Sequence, residues 1–162
     1  MAGKAGHDLT IGVTRWSAEL TTGPDGSPAG LEAHIDMGSL AVIAGTGGLK
    51  PLTDRDKREI AATARKVLRA DRSPEAVYAA DGFEPDAAGG GVIRGTLTLA
   101  GTSRPLPLQV RKTGQDSYQA TATVVQTQFG IKPYTGFLGA LKVRDAIDVT
   151  AEITVPQPEA AG

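Results

Sequence analysis

The chain reads as an all-β protein, an antiparallel barrel of about eight strands with one α-helix inserted at about residues 53–70. Three observations predict this. Apolar and polar residues alternate with period two along most of the 162 residues. Gly 21 and Pro 10, against Trp 1, Tyr 3 and Phe 3, supply many turns and few bulky side chains. Helical spacing interrupts the alternation clearly at one place. Polar outer faces joined by short turns suit a meander closed into a barrel, with a two-sheet sandwich as the alternative.

The elements follow in order. Leu9, Ile11 and Val13 share one face of a first strand, and Trp16, Ala18 and Leu20 share one face of its continuation. The phase slips by one residue between Val13 and Trp16, which predicts a bulge near Thr14 and Arg15. Gly23 to Pro28 is a turn. Leu31, Ala33, Ile35 and Met37 alternate with Glu32, His34 and Asp36 as a second strand, continued by Leu40 to Ala44. Thr53 with Asp56 has capping-box spacing, and Ile60, Ala64, Val67 and Leu68 fall on one helical face. Arg65, Lys66 and Arg69 suit the helix C-terminus.

Strands then resume. Pro74 to Ala80 is a weak one, followed by an acidic, Gly-rich turn through Gly91. Ile93, Gly95, Leu97 and Leu99 alternate with Arg94, Thr96 and Thr98. Ala100 to Ser103 turns the chain into Leu106, Leu108 and Val110, where Pro105 and Pro107 mark an edge or a strand start. Tyr118, Ala120, Ala122 and Val124 form another inward face, and Ile147, Val149, Ala151, Ile153 and Val155 the last. A further short helix is expected near 133–141. Residues 1–156 form a single domain and 157–162 a disordered tail.

Composition narrows the function. A formal net charge of −1 argues against an electrostatic nucleic-acid or membrane binder. Zero cysteines exclude disulfides and thiolate chemistry, and His7 and His34 alone do not make a multi-histidine metal centre, so no metal site is expected. No apolar run approaches the ~20 residues that span a bilayer, and M-A-G-K-A-G-H-D lacks an apolar signal core, so a cytoplasmic protein without an integral membrane segment is expected. Gly45-Thr-Gly-Gly48 is followed by acids rather than Gly-Lys-Ser/Thr, so it is no phosphate loop. No serine stands in a Gly-x-Ser-x-Gly context, and no catalytic residue is assigned.

The stretch Q-T-Q-F-G-I-K-P-Y-T-G-F-L-G-A-L-K-V-R-D-A-I-D-V from Gln126 gathers Phe129, Tyr134, Phe137, Leu138 and Leu141. Each large side chain left in water forgoes roughly 1.5–3 kcal/mol, so this segment packs on the body or covers something apolar. It forms either a mouth or lid, or a hydrophobic cap on a packed barrel.

Local motifs G-H-D-L-T-I from Gly6, P-L-T-D-R-D from Pro51, G-T-L-T-L-A-G-T-S-R-P-L from Gly95 and Q-F-G-I-K-P-Y from Gln128 stand in one order over more than a hundred residues. In this order the chain resembles the polyisoprenoid-binding YceI-like family, whose fold is a lipocalin-like antiparallel barrel. Trp16 stands near where that family has a second histidine. The resemblance implies an isoprenoid quinone or polyprenyl lipid bound inside the barrel, by a carrier or store. No other cofactor is expected to be required, and the charge balance predicts no nucleic-acid partner. A homodimer is left open.

The cavity or mouth candidates are Leu9, Ile11, Val13, Trp16, Leu97, Leu99, Ala120, Ala122, Phe129, Tyr134, Phe137 and Leu138, with His7 and Tyr134 placed for a head group. Trp16 also reads as a plug of the barrel floor, and His34 as pointing outward. The rival function is a small isomerase- or cyclase-like enzyme in the same cavity, using Tyr134, His7 or a buried carboxylate as acid or base. A third reading is a packed barrel acting as a protein-interaction module.

Overall fold

The structure is a computed structural model and describes residues 7–47, 50–136 and 141–156. β1 (His7–Val13) and β2 (Trp16–Thr22) are two halves of one bent strand, interrupted at Thr14 and Arg15, where the alternation slips. Their partner bends at the matching place: β3 (Pro28–Asp36) passes through a 3-10 turn at Met37–Ser39 into β4 (Leu40–Gly47). The Asp36 carboxylate accepts from the Gly38 amide at 2.8 Å to cap that turn, and the Thr14 hydroxyl donates to the Ser39 carbonyl at 3.0 Å. The two bends are thereby tied together. β2 pairs with β3 and β1 with β4, both antiparallel, so the far half of the hairpin leaves the main sheet as a separate ribbon.

α1 (Asp54–Val67) begins with the expected reciprocal cap. The Thr53 hydroxyl accepts from the Asp56 amide at 3.1 Å, and the Asp56 carboxylate accepts from the Thr53 amide at 2.9 Å. The helix stops before residue 70 because Arg69 turns left-handed, with φ at 56°. Its side chain then donates to the Gly130 carbonyl at 2.7 Å, fixing the helix end to the segment after β9.

The remaining strands are β5 (Glu75–Pro85), β6 (Gly91–Leu99), β7 (Thr102–Pro105), β8 (Leu108–Lys112), β9 (Ser117–Val125), β10 (Thr135–Gly136), β11 (Leu141–Lys142) and β12 (Ala146–Thr154). β5 is long rather than weak; a register shift between Ala80 and Gly82 carries it past the acidic residues, which hide it from a strict alternation. Residues read as a turn at Thr102 and Ser103 belong to β7, because Ala100 and Gly101, at φ 51° and 81°, complete a two-residue hairpin turn. The short helix expected near 133–141 is a correction: its described residues include β10 paired with β11, and Pro133 and Gly136 disfavour a helix there.

One antiparallel sheet orders the strands β12-β9-β8-β6-β5-β3-β2, with β7 also beside β6. It curls into a lipocalin-like half-barrel. Closure was expected, but among the described residues no ladder joins β12 to β1 or β2. The core lies at the end where β2, β5 and β12 begin. Met37, Leu40, Leu99, Ala100, Val124, Phe129 and Ile131 pack there, under Ala64, Val67, Leu68 and Ala70 at the end of α1.

Candidate functional site

The concave face of the half-barrel is the candidate site, and strand register places its residues. Trp16 pairs with Ile35, which pairs with Ala76; Ala18 pairs with Ala33, which pairs with Tyr78 and then Leu97. On the other side Val110 pairs with Ala120, which pairs with Ala151, and Ala122 pairs with Val149. These residues share one face, so the inward assignment of Leu97, Leu99, Ala120 and Ala122 agrees with the register. Thr121 and Thr123 face outward beside Thr150 and Asp148.

Burial varies across this face. Tyr78, Leu97, Leu99, Ala120 and Val124 are buried on it. Toward the two free edges, Trp16, Leu20, Ile147 and Val149 keep between 36% and 44% of their surface exposed. Trp16 therefore does not plug a barrel floor; it stands at the open seam beside Ile35. Leu9 and Ile11 are likewise exposed on β1, while Val13 packs against the core. The four large apolar side chains Trp16, Leu20, Ile147 and Val149 stand on the two edge strands, β2 and β12, and the seam is the opening between those edges, which no described strand bridges.

The aromatic segment divides. Phe129 is 1% exposed and Ile131 equally buried, so both belong to the hydrophobic cap at the α1 end. The 3-10 turn Gln126–Phe129 aims Phe129 inward, and its left-handed Gly130 lets the Ile131 amide return to the Gln126 carbonyl at 3.1 Å. Tyr134 is exposed. Phe137 and Leu138 lie outside the described residues, as does the side chain of His7. His34 points outward, with Nδ1 2.6 Å from a Glu75 carboxylate oxygen and Nε2 2.6 Å from one of Glu32. Both carboxylates raise its pKa, the Glu75 hydrogen bond most.

Tyr78 is the polar feature of the interior that the sequence left unmarked. It lies over Gly95, where an added Cβ would come within 2.6 Å of the ring and the hydroxyl oxygen. The hydroxyl donates to the Leu106 carbonyl at 2.8 Å. Burial pushes its pKa up to about 12, with the Asp81 charge adding to the effect. The signal available beforehand was Gly95 itself, a glycine within an alternating strand, which marks a close approach.

Besides Tyr78, the buried polar side chains among the described residues are Ser39 and Gln126, and no three His, Asp or Glu side chains gather as metal ligands. Gln126 donates to the Arg144 carbonyl at 2.9 Å and Ser39 to the Asp36 carbonyl at 2.7 Å, so both serve the backbone. One interruption pierces the wall. The β8–β9 ladder ends at Gln109 and Thr121, because Pro107 has no amide to continue it. A groove of about 490 Å³ lies there, lined by Leu106, Pro107, Thr123 and Val149 among others.

A curled antiparallel sheet with a carbon-rich concave face and one inserted helix defines a lipocalin-like protein. The YceI-like domain profile matches residues 3–155, and the chain belongs to that family. It is similar in structure to the Campylobacter jejuni YceI protein that crystallizes with large solvent channels, at 16% identity and TM-score 0.67 over 94% of this chain and 86% of that one. Burkholderia cenocepacia BcnA is similar at 15% identity and TM-score 0.65, over 90% of this chain and 87% of that one. No curated protein matches the sequence. No described helix is long and apolar enough to cross a membrane.

Proposed function

We propose that the protein binds a long apolar ligand, an isoprenoid quinone or polyprenyl lipid, on the concave face as a carrier or store. The observation that carries this reading is the seam: Trp16, Leu20, Ile147 and Val149 face the interior yet remain substantially exposed. A five-carbon isoprene unit buried there is worth roughly 4 kcal/mol at ~0.8 kcal/mol per CH₂. A few units offset an association cost of roughly 4–15 kcal/mol. Membership of the YceI-like family supports an apolar ligand. An acid–base enzyme using Tyr134 or a buried carboxylate is less favoured, because Tyr134 is exposed and no carboxylate is buried among the described residues.

Trp16 is the only tryptophan in the chain, so the seam carries its own reporter. Titration with a long-chain quinone should quench its fluorescence saturably, and organic extraction of natively purified protein should release an apolar molecule. Unquenched Trp16 together with an empty extract would overturn the reading.

A further inference from the structure

The net charge of −1 conceals an uneven distribution along the sheet. At the end where β5 and β12 begin and β9 finishes stand Lys66, Arg69, Arg72, Lys132 and Arg144. Lys66 occupies the last turn of α1, Arg69 is bonded to the Gly130 carbonyl two residues before Lys132, and Arg144 holds Gln126 through its carbonyl. The acids among them are Asp71, Glu75, which is held by His34 at 2.6 Å, and Asp145, which accepts from Thr127. Arg15 is neutralised locally by Asp36 at 2.9 Å. The opposite end carries Asp25, Asp86, Asp116 and Glu152, with Arg111 and Lys112 between them, while Arg94 is paired with Glu84.

Apolar groups accompany the cations. Tyr134 and Val143, joined by the Val143 amide donating to the Tyr134 carbonyl at 2.9 Å, are both exposed, and Ile147 follows at the start of β12. Cations beside an exposed tyrosine and aliphatic side chains suit a bilayer interface, where the charges meet head groups and the apolar groups enter the acyl boundary. A nucleic-acid backbone would match the cations but offer nothing to Val143 and Ile147.

We propose that this end docks the protein on an anionic phospholipid surface and turns the seam toward the bilayer. The choice of a bilayer rests on the carrier reading; the charge asymmetry does not. The fields of the two ends would act together, attracting one and repelling the other. The test is co-sedimentation of the full chain with vesicles of phosphatidylcholine alone and mixed with phosphatidylglycerol. Binding should require the anionic lipid and weaken at least about tenfold on raising salt from about 0.05 to 0.5 M. Lys66→Glu with Arg72→Glu, both exposed and away from the core, should lower binding by a similar factor. Arg111→Glu with Lys112→Glu, at the other end, should leave it unchanged. Lipid extracted from the first variant should equal that of the wild type, which separates docking from cargo binding. Equal binding to both vesicle types, an unaffected Lys66/Arg72 variant, or tighter binding to duplex DNA than to the vesicles would overturn the proposal.

Discussion

Tyr78 reaches across β6 to donate its hydroxyl to the Leu106 carbonyl at 2.8 Å, passing over Gly95. The Leu106 amide in turn donates to the Gly95 carbonyl at 2.9 Å. One side chain thus pins the corner between β7 and β8, where Pro105 and Pro107 limit ladder hydrogen bonding. Tyr78→Phe keeps the ring and leaves that carbonyl without its donor, which should cost about 1–3 kcal/mol. Urea unfolding checks this; a midpoint equal to wild type would show that the corner holds without it.

Gly95→Ala tests the same contact from below. The new methyl would sit 2.6 Å from the Ala79 carbonyl oxygen as well as from Tyr78, so backbone and ring both have to move. Overpacking of this kind costs typically ~1–3 kcal/mol, and the ring cannot shift without loosening its bond to Leu106. In a double-mutant cycle with Tyr78→Phe the two losses should be non-additive. Strictly additive losses would mean that Gly95 answers only to the Ala79 backbone.

Much of this site was legible beforehand, and the boundary of legibility is physical. Period-two alternation assigned Ala120, Ala122, Ile147 and Val149 to one face, because side chains of a strand must point to opposite sides. Thr53 and Asp56 marked the helix start because the cap is made from local groups. Alternation says which face a residue joins and nothing about what covers it, so the open seam at Trp16 and Ile147 could not be read. Nor could the split between buried Phe129 and exposed Tyr134, which is set by a 3-10 turn and Gly130 rather than by any period. Tyr78 was missed because its partner is twenty-eight residues away, across a strand.

His34 makes stability depend on pH. Its pKa is raised, first by the hydrogen bond to Glu75 and then by that to Glu32, so the folded state holds the proton more tightly than the unfolded chain. The stabilisation is complete below the unfolded value of about 6.5 and is lost as pH rises through the higher folded value. The melting temperature of wild type relative to His34→Gln should therefore fall as pH is raised above about 6.5. A difference that stays flat from about pH 5.5 to 9 would remove His34 as its source.

Arg69 carries two opposed effects at the end of α1. Its left-handed φ of 56° is unfavourable for a residue with a Cβ by roughly 1–2 kcal/mol, while its guanidinium ties the helix to Gly130 at 2.7 Å. Arg69→Ala removes the tie and keeps the strain; Arg69→Gly removes both. Glycine should then be the more stable of the two variants by about 0.5–1.5 kcal/mol, after its greater unfolded-state entropy is deducted. Alanine equal to or better than glycine in thermal melting would show that the backbone there is not strained.

The concave face can be tested with a ring placed on it. Ala122 pairs with Val149, which is itself exposed on the inner side, whereas Thr121 beside it pairs with Thr150 on the outer face. If the space above Ala122 receives a lipid chain, Ala122→Phe occupies that space without forcing packed neighbours from their rotamers. The apo protein should then melt close to wild type and yield little or no extracted lipid. In a filled interior the same ring would cost typically ~1–3 kcal/mol. Thr121→Phe is the control, since its ring lies on the outer wall and should leave lipid content unchanged. Thermal melting and mass spectrometry of the extract decide between the two. A destabilised Ala122→Phe that still carries its lipid would place the ligand away from this face.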